Sequence, residues 1–299
     1  MIKAFIILYS LLLKSVIIKA QSEIMLTQPV TQLRIIVARK DLPLLKILLP
    51  GQPVSERGIE VEFPEHVTGL NKNTKQVEHL YLVSSGSRNK RTTPVWKVEG
   101  NAIVYETVLN NMVTMIAKAE LEPEGVRYTY QFNNHSNISY ENFQAVTCVK
   151  LYSVFSDTRL ERTYVHHANG FDLMASETPE RLTMPLQKWL PCRYLVSYSW
   201  PVSTHRTQKD EDSITRYNKS RKADKPLIAT LSQDKKWIAA TYTSETGNLW
   251  TNPERSCQHA DPAILLNAGE TKNIELKTFI FKGDLNQLLQ HINNEHLKK

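Results

Sequence analysis

The chain has 299 residues, 37 basic against 30 acidic side chains for a formal charge of +7, and 41% hydrophobic residues. That hydrophobic share excludes an intrinsically disordered chain, and the charge is not gathered into the basic stripe of a nucleic-acid binder, so no nucleic-acid partner is expected. The three cysteines form no C-x-x-C pair, which argues against a zinc-finger type of site.

Residues 1–20 read as a secretory signal peptide. Lys3 gives the positive start, Ala4 to Leu13 the apolar run, and Ala20 the small residue before cleavage. The run falls well short of the roughly 20 residues needed to span a bilayer. No later segment is more apolar, so no transmembrane segment is expected after signal removal, and the mature chain is expected to be secreted or periplasmic. Cleavage removes Lys3, Lys14 and Lys19 and no acid, so 37 basic residues become 34 against 30, or +4.

Strand patterns follow in succession. Leu33–Ala38, Ile59–Phe63 and Leu80–Val83 are weak, and residues 21–80 are expected to form a less regular edge or lead-in layer. From Ala102 the period-two alternation strengthens, through Ala102–Val108 and Met112–Glu120. It is cleanest where Val126, Tyr128, Tyr130 and Phe132 alternate with Arg127, Thr129 and Gln131. Further runs are Phe143–Tyr152, Glu161–His167, Arg193–Trp200, Pro226–Ser232, Lys236–Thr243 and Asn273–Phe281. Gly, Pro, Asn and Asp clusters separate them, as turns require. One helix is expected at 284–294, with Asp284 as cap and Leu285, Leu288, Leu289 and Ile292 on one face. Strands at short spacing with little helix between them predict an all-β fold, a large antiparallel sandwich occupying 21–299 as a single domain.

Chemistry-bearing residues concentrate in Thr246–Pro262, where Asn248, Trp250, Asn252, Cys257, His259 and Asp261 crowd an irregular stretch beside strands. Together with Trp189, Arg193, Tyr194, Arg216, Tyr217 and Arg221 they supply rings to stack on sugar faces and donors for hydroxyls or carboxylates. Each has a plainer reading. Trp200 and Trp237 fit a core, and Arg193 fits a buried ion pair. His259 and Asp261, two apart, share a face if extended, as an acid/base pair, as part of a metal site, or as a structural hydrogen-bonded pair. His166 and His167 point to opposite faces of a strand. Two candidate ligands make no metal site, so neither a metal nor another cofactor is expected. The basic segment 206–225 reads as a solvated loop or an anion-facing one. Cys192 and Cys257 flank the loop-rich blocks and are expected to lie close, as a disulfide or as neighbouring thiols. Asn134, Asn137 and Asn218 each satisfy N-x-S and predict exposed loops.

The blocks Phe171–Leu182, Trp189–Tyr194, Arg216–Arg221, Gly247–Trp250 and Cys257–Pro262 resemble an uncharacterised family of secreted bacterial β-sandwich proteins, over about residues 46–290. At fold level the chain resembles the galactose-mutarotase-like and polysaccharide-lyase β-supersandwich domains, which implies a carbohydrate ligand. The expectation is a carbohydrate-binding or carbohydrate-processing protein, with acidic or sulfated glycans favoured by the arginines. Arg193, Tyr194, Arg221 and Trp250 would bind the glycan, and His259 with Asp261 would move a proton. Binding without turnover ranks above epimerisation or elimination, and those above hydrolysis, since no facing pair of carboxylates is visible. The alternative is a non-enzymatic envelope interaction protein whose polar segments brace long loops.

Overall fold

The computed structural model describes residues 24–82, 93–202 and 214–295. The signal-peptide reading, the end of the Leu80–Val83 strand and residues 206–213 of the basic segment lie outside them. Strands make up 52% of the structure and helix 10%, in large antiparallel sheets: an all-β sandwich.

The first sheet has eight strands. Its spine runs β1 (Met25–Thr27), β2 (Arg34–Arg39), β3 (Leu44–Leu48), β4 (Ile59–Asn71), β10 (Tyr140–Leu151) and β18 (Cys257–Gln258), with β5 (Val77–Leu82) on β4 and β19 (Ala263–Leu266) on β10. The lead-in segment is therefore not irregular. β4 is 13 residues long and pairs with β10 near the middle of the sheet. Its pattern looked weak because Pro64 interrupts it and because the register slips between Val146 and Cys148 of β10.

The second sheet has nine strands. In order these are β12 (Gly170–Leu173), β11 (Thr163–His167), β15 (Leu227–Leu231), β16 (Trp237–Thr243), β20 (Thr271–Lys282), β9 (Gly125–Asn134), β8 (Val113–Glu122), β7 (Ala102–Leu109) and β6 (Lys97–Glu99). The alternation in β9 works as its sequence demands. Val126, Tyr128, Tyr130 and Phe132 are all buried, and they meet Phe63, Val61 and Val149 of the first sheet in the main core. Tyr130 donates or accepts a 2.7 Å hydrogen bond with Thr147, so the core holds a polar tie between the sheets. Asn134 closes β9 and is buried, its amide donating to Ile138 and Asn267 carbonyls, so it is not on the exposed loop that N-x-S implied.

The last helix, α2 (Leu285–Asn294), follows a short one, α1 (Leu186–Trp189). Asp284 accepts from the Asn286 and Gln287 backbone N–H groups, and the Gln287 side chain accepts in return from the Asp284 N–H, a complete capping box. Leu288 and Ile292 then pack on the outer face of the second sheet against Leu227, Ile238 and Phe279.

A third, three-stranded sheet was not legible as a separate unit: β14 (Thr215–Asn218), β13 (Cys192–Ser197) and β17 (Asn248–Thr251). β13 and β14 run parallel, β13 and β17 antiparallel. One face of it, with Tyr194, Val196, Tyr217 and Leu249, packs on Trp189 and Ile228 in a second core. Period two sends Arg193, Leu195, Arg216, Asn248 and Trp250 to the other face.

Candidate functional site

That other face carries a shallow pocket of about 230 Å³ lined by Arg193, Leu195, Arg216, Asn248 and Trp250. Arg193 donates to Glu254 at 2.6 Å and to the Cys192 carbonyl at 3.0 Å, so its guanidinium is held rather than swinging. Trp250 is half-buried and lies flat on the His259 imidazole, ring centroids 3.5 Å apart and planes 8° from parallel. The backbones of these two residues also exchange hydrogen bonds of 3.0 and 3.1 Å in an isolated bridge. The indole is thus fixed from behind.

Of the six residues expected to form the site, the structure brings Arg193 and Trp250 together in the pocket and puts His259 directly behind them. It does not expose His259, which is 0% accessible, nor Asp261, at 5%. Asp261 accepts from the Thr147 N–H at 2.9 Å and faces His259 Nδ1 at 3.3 Å. The pair expected to move a proton is therefore buried and hydrogen-bonded within the fold. Tyr194 sits on the opposite face of β13, buried, its hydroxyl 3.0 Å from Thr178, and burial raises its pKa to about 12. Arg221 lies elsewhere, paired with Asp172, which also holds the buried Lys219 ammonium at 2.8 Å. Trp189 is core, with its indole donating to Thr158 at 2.8 Å, while Trp200, expected inside, is 37% exposed and covers Gly247. His166 and His167 part as predicted, His166 to Asp224 at 2.6 Å and His167 to the Lys222 carbonyl at 2.7 Å.

Behind His259 is a cluster that sequence reading missed. Val61, Phe63, Val149 and Leu151 face the main core, so Glu62, Cys148 and Lys150 face the other side of the first sheet. Cys257 pairs with Lys150 in register and joins them. The sulfurs of Cys148 and Cys257 and a ring nitrogen of His259 lie within 4.8 Å of one another, and Glu62, Glu65 and Cys148 form a second such group. Lys150 and Glu62 make a buried pair at 2.6 Å. All three cysteines are free thiols, so Cys192 and Cys257 form no disulfide, and Cys148 places a sulfur within 4.8 Å of that of Cys257.

The charges here are strongly linked. Burial alone would hold the His259 imidazolium down, but Cys257 and Asp261 reverse this and keep its pKa above the usual range. Burial raises the Cys257 thiol, yet the Cys148 hydrogen bond and His259 carry it below its ordinary value. Cys148 itself is pushed up, by burial first and then by Cys257. Burial also raises Glu65 and lowers His66. The local signal for this cluster was the one-sided alternation in each strand: Glu60 and Glu62 between Ile59, Val61 and Phe63, Cys148 and Lys150 around Val149, and Cys257 two before His259.

A larger pocket of about 490 Å³ lies beside α2, lined by Pro50, Pro123, Trp237 and Phe281, and its Glu124 and His291 pair with each other at 2.9 Å. Among the described residues no helix is long and apolar enough to cross a membrane.

No protein-family profile matches this chain, and no curated protein sequence matches it. Solved structures do. The Slr1438 protein of Synechocystis is similar over 88% of this chain and 96% of its own, at 11% identity and a TM-score of 0.53. A galactose mutarotase related enzyme of Lactobacillus acidophilus is similar over 87% and 98%, at 6% identity and 0.48, and a putative aldose 1-epimerase of Escherichia coli over 88% and 100%, at 10% and 0.48. The first likeness is one of fold alone, and nothing about function rests on the other two. The family-level resemblance read in the sequence has no matching profile.

Proposed function

We propose that this is an exported protein that binds an anionic glycan at the Trp250 pocket without turning it over. One observation carries the reading: an indole clamped flat on a buried imidazole lines a pocket with two arginines and an asparagine. A sugar ring offers C–H faces to stack on such an indole, and its hydroxyls or carboxylate take the directional donors of Arg193, Arg216 and Asn248. Rigidity helps, because a ring already held in place loses little freedom on binding. The shallowness of the pocket favours one or two sugar units of a longer chain.

Turnover is set aside because the proton-moving pair first assigned is sealed off. General acid/base groups must come within hydrogen-bond reach of the reacting atom, and His259 and Asp261 are buried behind Trp250. The export part of the reading rests on the n-region, apolar run and small residue of positions 1–20.

The test is titration of the mature protein with oligouronates, sulfated oligosaccharides and neutral oligosaccharides, followed by indole fluorescence and calorimetry. Saturable binding of an acidic series, weakened at least tenfold by Arg216→Ala or Asn248→Ala with an unchanged melting temperature, is expected. Equal affinity for neutral and acidic sugars would remove the anionic part of the reading, and no binding by any series would remove the whole. A mature N-terminus still at Met1 would remove export.

A further inference from the structure

The cluster behind Trp250 has a donor set that glycan binding does not use. Cys148, Cys257 and His259 are each almost wholly buried, and their donor atoms lie within 4.8 Å of one another. His259 Nδ1 is taken by Asp261 at 3.3 Å, whereas Nε2 is buried without a partner in the protein. The imidazole interacts with the Cys257 sulfur, but a buried ring nitrogen without a well-formed hydrogen bond still calls for an explanation. Glu62 repeats the pattern, with one carboxylate oxygen on Lys150 at 2.6 Å and the other buried and unpartnered beside Cys148. Glu65, in the slipped part of β4, lies with its carboxylate within 4.8 Å of the Cys148 sulfur and of Glu62.

We propose that Cys148 Sγ, Cys257 Sγ and His259 Nε2 bind one zinc-class ion, with the Glu65 carboxylate as fourth ligand. Two thiolates and an imidazole select a borderline-soft ion over calcium or magnesium. Zinc–sulfur bonds of about 2.3 Å at a tetrahedral angle put two sulfurs about 3.8 Å apart, so donors within 4.8 Å close on the ion by small rotamer adjustments. Asp261 fixes the tautomer that leaves Nε2 free, and is itself steadied by the Thr147 N–H at 2.9 Å. The ion also answers a structural need. β18 has only two residues, and His259 meets Trp250 only through an isolated bridge, so the segment behind the pocket has little ladder of its own. A tie to β4 and β10 anchors it.

Purification of the full mature chain without chelator, followed by elemental analysis, is expected to give one equivalent of zinc. After stripping, cobalt(II) should give tetrahedral absorption with a thiolate charge-transfer band, and zinc should displace it. Cys192→Ser and Arg216→Ala should leave that spectrum unchanged, Cys148→Ser and Cys257→Ser should abolish it, and Glu65→Gln should weaken affinity at least tenfold. Should the cysteine variants fail to fold, the wild-type protein decides: zinc must raise its melting temperature where equal magnesium does not. Sub-stoichiometric metal with no cobalt bands overturns the proposal, as does a Cys148–Cys257 disulfide in the native protein. Because Arg216→Ala separates glycan binding from metal binding, either reading can fail without the other.

Discussion

Replacing Asp261 with alanine separates a brace from a catalyst. The carboxylate accepts from the buried Thr147 N–H at 2.9 Å and faces His259 Nδ1 at 3.3 Å, so removing it strands two donors out of reach of water. Each stranded donor costs about 1–3 kcal/mol, and relief of the carboxylate's own desolvation offsets part of that, leaving a loss of about 3 kcal/mol. For a chain of this size about 1 kcal/mol moves the melting temperature by roughly 2–4 °C, so Asp261→Ala should melt roughly 6–12 °C lower. Asp261→Asn keeps an acceptor for Thr147 and should lose about half as much. Thermal and urea melts measure the stability, and glycan titration at a temperature where both proteins are folded measures binding. If Asp261→Ala melts within about 2 °C of wild type yet no longer binds glycan, Asp261 acts on the ligand and the brace reading is wrong.

Three further outcomes follow from the geometry. Gly125 opens β9 at φ +138°, where a Cβ would stand 1.9 Å from the Thr278 carbonyl oxygen, so Gly125→Ala should lose at least about 2 kcal/mol by urea melt. Lys219→Met removes a buried ammonium that bonds Asp172 at 2.8 Å and the Leu173 carbonyl at 3.0 Å, and should cost about 3 kcal/mol by the same assay while glycan affinity holds. Burial raises Glu295, but Lys277 at 2.6 Å and Arg127 at 2.7 Å outweigh it and hold its folded pKa down. A depressed carboxylate stabilises the fold above its unfolded value and loses that contribution as pH falls through the folded one. The urea midpoint of Glu295→Gln should therefore drop at pH 7 and converge on wild type in acid, and a constant gap would contradict the linkage.

The sequence was most readable where one strand's own alternation decides burial. Tyr128, Tyr130 and Phe132 needed no partner to be named as core, and Asp284 announced the start of α2 by local chemistry. Most of the pocket was readable for the same reason, since Arg193, Arg216, Asn248 and Trp250 sit on strand faces beside irregular backbone. His259 was read as reachable because nothing local says that Trp250 lies over it. For the thiol cluster, alternation marked each strand's outward side chains but not their meeting. Glu62, Cys148 and Cys257 come from three distant stretches, and only the register of β4 on β10 and of β10 on β18 puts them on one patch. The parallel pairing of β13 with β14 is likewise a tertiary choice that no local pattern encodes.

The position of β20 has a bearing on how the molecule comes into being. It follows the other described strands in the chain, yet it lies between β16 and β9 and, among the described residues, is what links the β12–β11–β15–β16 and β9–β8–β7–β6 halves of the second sheet. Until residues 271–282 are synthesised those halves have no hydrogen-bonded connection, and two inner edges stand open. Open edges invite pairing with other chains, and contacts so distant in sequence form slowly. The growing polypeptide thus cannot complete its second sheet before residues 271–282 have been added. A chain truncated before Thr271 should accumulate as aggregate rather than as a smaller folded unit, and a cell must shield the residues before β20 until that strand has been made.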